Sequence, residues 1–355
     1  MHSRAANPLN ATKGCVEACA DYIKIDLGDG RKVRASGPFS EQAQAPANQW
    51  AFYINDFSLS KAKPWFVPEQ IAIASLPTST SEVRAFPPLS WLPPDRDLFE
   101  AQFQDILERL KSDQIRKVVP AVIESAEWDL RDAELLIARS FTAARSDASH
   151  GYAFNLGQQG AVGRTPEMLF RLENGVLQTM ALAGTVPLGR EDELWADPKL
   201  QHEHETVVEV LRDRLIPLGA VKVEPRCLLP LQNMTHLCTR VSVVLQADDW
   251  LERTDELIHL LHPTPALGVT PSTDENRAQL MDYRRQMNVP AHFGAPIGVK
   301  WPGGMLLIVA IRGLFWEGTR LSLPSGCGVV TGSDFASEWS ELDLKRQWIH
   351  RAFGC

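Results

Sequence analysis

An Asn-Gly dipeptide at 174–175 separates two strand-like segments, 167–173 and 176–183. The tight two-residue turn of a hairpin needs positive φ at both central positions, which Asn and Gly tolerate best, so the pair predicts antiparallel strands. The register then places Glu167 opposite Leu182, beside Gly184-Thr185. A carboxylate at one strand end would thus stand next to a small-residue loop at the other. Gly184 lets a ligand approach the backbone, and Thr185 offers a hydroxyl and an N–H. Half-buried beside Met180 and Leu182, Glu167 could hold its proton more tightly than usual and serve as a general acid. A solvated glutamate after Thr165-Pro166 is the plainer reading of the same residues.

Further along, 305–316 is a nearly continuous apolar run that reads as a strand, turned by Glu317-Gly318 toward Arg320–Leu323. Helical periodicity marks 97–112, with Asp97 as a candidate N-cap, and also 131–144, 202–216 and Asp334 to Phe353. Strands joined by hairpins with helices between them predict an α+β fold, mostly antiparallel. No glycine-rich strand-to-helix motif points to a nucleotide fold. Residues 36–49 read as a surface loop and 76–95 as a Pro- and Ser-rich connection. They mark off an N-terminal segment, 1–95, expected to integrate with 96–355 into one unit.

The net charge of -8 argues against a nucleic-acid partner, though a locally basic site could still hold an anionic substrate. The six cysteines include no pair of Cys-x-x-Cys motifs, so structural zinc is not expected. Reduced thiols in a cytoplasmic protein are expected instead. No leader is expected before Gly14, and no segment approaches the ~18 consecutive apolar residues of a membrane span.

Glu338, Glu341 and Lys345 recur at i, i+3 and i+7, so they share one helix flank. The apolar stripe Phe335, Leu342, Ile349 and Phe353 runs beside it. Two carboxylates at the margin of a buried face suit Mg²⁺, a hard ion that takes oxygen ligands; a surface Glu-Lys pair is the alternative. Glu203 offers a third carboxylate. Its neighbours His202 and His204 point to opposite sides of a helix and do not form a zinc pair. Lys117 opens the apolar segment Val118–Ile123, where desolvation could make its amine a base. Arg312 interrupts the apolar run and must be ion-paired or face a cleft, where its fork suits a carboxylate. In Ser325-Gly326-Cys327-Gly328, exposed N–H groups could hold another.

Together with His262-Pro263-Thr264-Pro265-Ala266-Leu267-Gly268, these motifs fall in the order of the chorismate-utilising enzymes, and residues 97–355 resemble their chorismate-binding domain. The resemblance implies two antiparallel sheets with outer helices and a central cleft, as in anthranilate synthase component I. It implies Lys117 as base, Glu167 as general acid, and Glu203 and Glu341 as Mg²⁺ ligands with Glu338 in support. Arg312, Gly326, Gly328 and Lys345 would hold the substrate carboxylates, and Gly184, Thr185, His236, Ala266 and Leu267 the rest of the pocket. The 262–267 string is similar to that of isochorismate synthases. Ala181-Leu182-Ala183 stands where the ammonia-using members favour other residues, and their Gly-Ala-Pro-Lys-like loop is absent. The expected activity is Mg²⁺-dependent conversion of chorismate to isochorismate, by a cytoplasmic monomer with no amidotransferase subunit. Salicylate synthase, chorismate aminase and a chorismate-binding protein without turnover are the competing readings. Three departures stand out: Pro120-Ala121-Val122 after Lys117-Val118-Val119, Leu200 in place of an acidic residue, and a short N-terminal part. Pro120 removes a ladder donor, so its strand should be an edge, bulged or altered.

Overall fold

The computed structural model describes residues 21–75, 86–142, 149–231, 233–247 and 249–355. The apolar run at 305–309 shows how the core is laid out. Met305, Leu307 and Val309 enter one apolar cluster, while Leu306 and Ile308 enter another. Successive side chains of a strand face opposite ways, so a strand between two cores reads as continuously apolar.

Among the described residues, sixteen strands form one antiparallel sheet, fifteen of them along a single hydrogen-bonded path. It runs Gly219–Val223, Met234–Leu245, Val176–Pro187, Met168–Glu173, Gly304–Val309, Pro296–Trp301, Ala51–Ile54, Trp65–Ser75, Arg31–Gln42, Tyr22–Asp26, His150–Leu156, Gln159–Thr165, Gly313–Glu317, Arg320–Gly326 and Ala121–Glu127, with Cys227–Pro230 also on Met234–Leu245. Ala121 at one end of this path shares an apolar cluster with Leu306, Ile297, Phe154 and Ile23. Strands far apart along the ladder therefore pack face to face, and the path makes two opposed antiparallel layers. The strands between Tyr22 and Ser75 occupy its middle. A separate small sheet places Lys117–Val118 between Val269–Thr270 and Val329–Val330.

Seven α-helices among the described residues cover the layers: α1 (Arg96–Lys111), α2 (Ala133–Thr142), α3 (Glu191–Ala196), α4 (Pro198–Leu215), α5 (Thr254–Leu261), α6 (Asp274–Gln286) and α7 (Phe335–Phe353). Helices α1, α4, α5, α6 and α7 pack on the layer holding Leu169, Leu177 and Met305, while α2 and α7 pack on the layer holding Val162, Leu314 and Leu321. Side-chain caps fix the starts of several. Asp197 accepts from the Lys199 N–H ahead of Pro198 in α4, and Asp334 accepts from Ser337 in α7. The cap of α1 is Asp95, not Asp97, because Asp95 Oδ1 reaches the Leu98 N–H at 3.0 Å. The expected helix end at 143–144 lies outside the described residues, as do 76–85.

Four strand expectations need correction. Ser36–Gln42 is strand, not loop: pairing with Trp65–Ser75 resumes after a register shift between Ser36 and Phe39, which absorbs Pro38. The 305–316 run is two strands, broken at Arg312, whose φ is 55°. The hairpin register holds only for Glu173, Leu172 and Arg171 against Val176, Leu177 and Gln178. Beyond them Phe170 and Met168 stay with Leu307 and Ile308, so Leu182 pairs with Cys238 and not with Glu167. Finally, Pro120 divides the 118–123 segment. The chain passes there from the small sheet to Ala121–Glu127, an edge of the large one.

Candidate active site

The hairpin strands part, yet both still reach one cavity of about 640 Å³, its open mouth included. Glu167, Gly184, Thr185, Glu203, His236, Ala266, Leu267, Arg312, Gly326, Gly328, Glu341 and Lys345 all line it. Lys117 stands directly behind Glu203, and Glu338 lines the adjoining cleft together with Glu341.

Glu167 is buried where Thr165-Pro166 leads into Met168–Glu173, and Thr264 donates to its Oε1 at 2.9 Å. Burial pushes its carboxyl up to about 7, against the pull of that hydroxyl and of Lys117. Gly184, at φ 78°, sits in a bulge between Ala183 and Thr185, where register against Met234–Leu245 shifts. The shift brings Thr185 opposite His236. The His236 imidazole then bridges Thr185 Oγ1 through Nδ1 and Arg312 Nη2 through Nε2, both at 2.9 Å. A guanidinium only donates, so Nε2 accepts and Nδ1 carries the hydrogen. Burial and the neighbouring Arg312 keep the ring neutral, well below its usual pKa. Arg312 Nη1 is buried without a hydrogen-bond partner among the described residues, and burial lowers its guanidinium to about 10. A buried cation with an unused donor on a cavity wall fits an anionic ligand.

The opposite wall carries three carboxylates, each tied to a lysine. Lys117 Nζ meets Glu203 Oε1 at 3.0 Å, Lys199 Nζ meets Glu338 Oε1 at 2.6 Å, and Lys345 Nζ meets Glu341 Oε1 at 2.6 Å. Burial alone would raise Glu203, but Lys117 and Lys199 hold it below the usual carboxylate range. Glu338 is raised to about 7 by burial and by Glu341, although Lys199 and the Ser333 hydroxyl bond it. Its Oε2 is buried and unpaired among the described residues. Among those residues, no three His, Cys, Asp or Glu side chains already stand as a ligand set.

The glycines have separate tasks. A Cβ on Gly328 would lie 2.0 Å from Glu203 Oε1 and 2.9 Å from Lys117 Cε, so this glycine makes room for the ion pair. Gly326 gives its carbonyl to Lys345 at 2.7 Å. His262 does not line the cavity; its Nε2–H bonds the Phe57 carbonyl at 2.8 Å, while Ala266 and Leu267 line the cavity and Thr264 bonds Glu167. Leu200 packs with Val186, Leu194 and Leu237. The sequence reading missed Thr264, Lys199 and Ser333. Thr264 lay inside a motif already singled out, while Lys199 and Ser333 carried no local signal.

The sequence matches the family described as chorismate binding enzyme over residues 73–354. A salicylate biosynthesis isochorismate synthase of Pseudomonas aeruginosa is 31% identical over 272 residues, which is 73% of this chain and 55% of that protein. Anthranilate synthase component 1 of the same organism is 28% identical over 270 residues, 72% of this chain and 53% of that one. The chain thus spans about half the length of these curated relatives. The structure of MenF, the menaquinone-specific isochorismate synthase from Escherichia coli, superposes with a TM-score of 0.77 at 20% identity, covering 95% of this chain and 89% of that one. That likeness shows the fold, and among the described residues no helix is long and apolar enough to cross a membrane. With the family match spanning most of its length, the chain belongs to the chorismate-binding enzymes.

Proposed function

We propose that this chain is an isochorismate synthase that converts chorismate to isochorismate with Mg²⁺. One observation carries the reading. A buried carboxyl that keeps a proton near neutral pH, Glu167, shares a cavity with the Lys117–Glu203 pair and the lysine-tied carboxylates. The His262–Leu267 string supports this branch over the aminases.

In this reading Lys117 acts as the base toward the water that bonds to ring C2. The ring double bonds shift, the C4–O bond breaks, and Glu167 gives its proton to the departing hydroxyl. Arg312 presents its unused Nη1 and Lys345 its ammonium to the substrate carboxylates. His236, held neutral, orients Arg312 and Thr185 without adding charge. Gly184, Gly326, Gly328, Ala266 and Leu267 shape the walls. Glu203, Glu341 and Glu338 fit a divalent cation, since they crowd negative charge into a buried place and leave Glu338 Oε2 without a partner. Bound there, Mg²⁺ would neutralise the ring carboxylate of the substrate. Residues 1–95 and 96–355 serve as one catalytic unit, a cytoplasmic monomer that needs no amidotransferase subunit.

Product chromatography after adding chorismate and Mg²⁺ tests the proposal, with Lys117→Ala and Glu167→Ala as controls. Isochorismate from the wild type and sharply less from the variants is expected. Salicylate with pyruvate, an aminated product in the presence of ammonia, or binding without turnover would each overturn it.

A further inference from the structure

A second cleft lies behind the 262–267 segment, with two arginines on its walls. Its volume is about 1350 Å³, open mouth included, and Arg214, Arg277, His259 and His262 line it with no carboxylate among the described lining residues. Phe57, Leu59, Pro263, Leu280 and Met281 supply apolar walls. Arg277 is paired with Asp274. Among the described residues Arg214 is paired with no acid: Nη1 donates to the Leu261 and Pro263 carbonyls at 3.1 and 3.0 Å, leaving the other edge of the fork unused. Beneath the Phe57 wall a third guanidinium, Arg284, lies 3.9 Å from the ring centroid and bonds the Phe293 carbonyl. The open edge of Arg214 beside this apolar surface fits a carboxylate carried on a small ring.

We infer that this cleft is a binding site for a small aromatic or alicyclic carboxylate, distinct from the catalytic cavity. The carboxylate would take the unused edge of Arg214 with Arg277 nearby, and the ring would pack on Phe57, Pro263 and Leu280. The site is coupled to the chemistry by the chain itself. Arg214 holds the carbonyl of Pro263, and the next residue, Thr264, holds Glu167.

Calorimetric titration of the full chain with salicylate tests this. Two binding phases are expected. Arg214→Met and, separately, Ala278→Trp, which fills the cleft from the exposed side of α6, should each weaken the same phase at least tenfold. Arg312→Met should weaken only the other. The inference is overturned if both cleft variants titrate like the wild type, if a single phase vanishes with Arg312→Met, or if inorganic phosphate competes as well as salicylate. Far-UV circular dichroism identifies a variant that fails to fold, and the remaining cleft variant then decides.

Discussion

Glu167 and Glu203 are the same residue type in the same cavity, both buried, yet the fold treats them in opposite ways. Glu203 has Lys117 within an ion-pair distance of 3.0 Å and is held below the ordinary carboxylate range. Glu167 is bonded instead by the Thr264 hydroxyl at 2.9 Å, and burial lifts it to about 7. Burial is common to both; the partner decides whether the group serves as a fixed anion or as a proton donor. Glu203 is thus set to hold charge and Glu167 to move a proton.

The largest effect expected from breaking this contrast is on turnover. Replacing the proton donor (Glu167→Gln) or the amine (Lys117→Ala) should lower kcat about 10²- to 10⁴-fold, the usual worth of a positioned acid or base. Isochorismate release measured by chromatography reads this directly.

The same Glu167→Gln change should stabilise the fold by a few kcal/mol at most, since each tenfold gain in proton affinity on folding is worth about 1.4 kcal/mol. The folded state raises this acid from 4.5 to about 7, so the cost of its charge is fully present above about 7. It vanishes as pH falls below the unfolded value. Urea unfolding should show the variant ahead of the wild type at pH 8, with the gap closing toward pH 4.5. A constant gap would contradict the assignment.

On the charged wall, Gly328→Ala pushes a methyl into Glu203 Oε1, 2.0 Å away. About 1–3 kcal/mol of stability should be lost, and Mn²⁺ binding followed by electron paramagnetic resonance should weaken. The mildest change, Thr264→Val, sharpens the comparison. Removing the hydroxyl raises Glu167 further, so activity, which falls as this acid ionises, should persist to higher pH. A displacement of about one pH unit in the alkaline limb of kcat matches the loss of one hydrogen bond to a charged group.

What the sequence revealed was local. Asn174 and Gly175 have φ of 52° and 72°, as their turn demands, and Glu341 meets Lys345 at 2.6 Å because a helix brings i and i+4 together. The ordered motifs brought Glu167, Glu203, Arg312 and His236 to one cavity. Partner choice was not legible, because it is made across the fold: Thr264 reaches Glu167 over 97 positions and Lys199 reaches Glu338 over 139. Apolarity alone also hid the break at Arg312, since a buried bend and a buried strand carry the same residues. His262, part of the most telling string, turned out to brace Phe57.

The long ladder has a consequence for how the molecule meets its neighbours. Sixteen of the described strands share one sheet, whose ends are Ala121–Glu127 on one side and Gly219–Val223 with Cys227–Pro230 on the other; among the described residues 67–75, paired only with Arg31–Gln42, is a further rim. The first starts just after a proline and is partly shielded by a bridge between Leu92 and Ser125. The second carries Lys222 and ends in Pro230, residues that resist the addition of a foreign strand. The two ends of the sheet thereby offer little purchase to a foreign strand, whereas the 67–75 rim, with Ile71 and Ile73 exposed, lacks that protection.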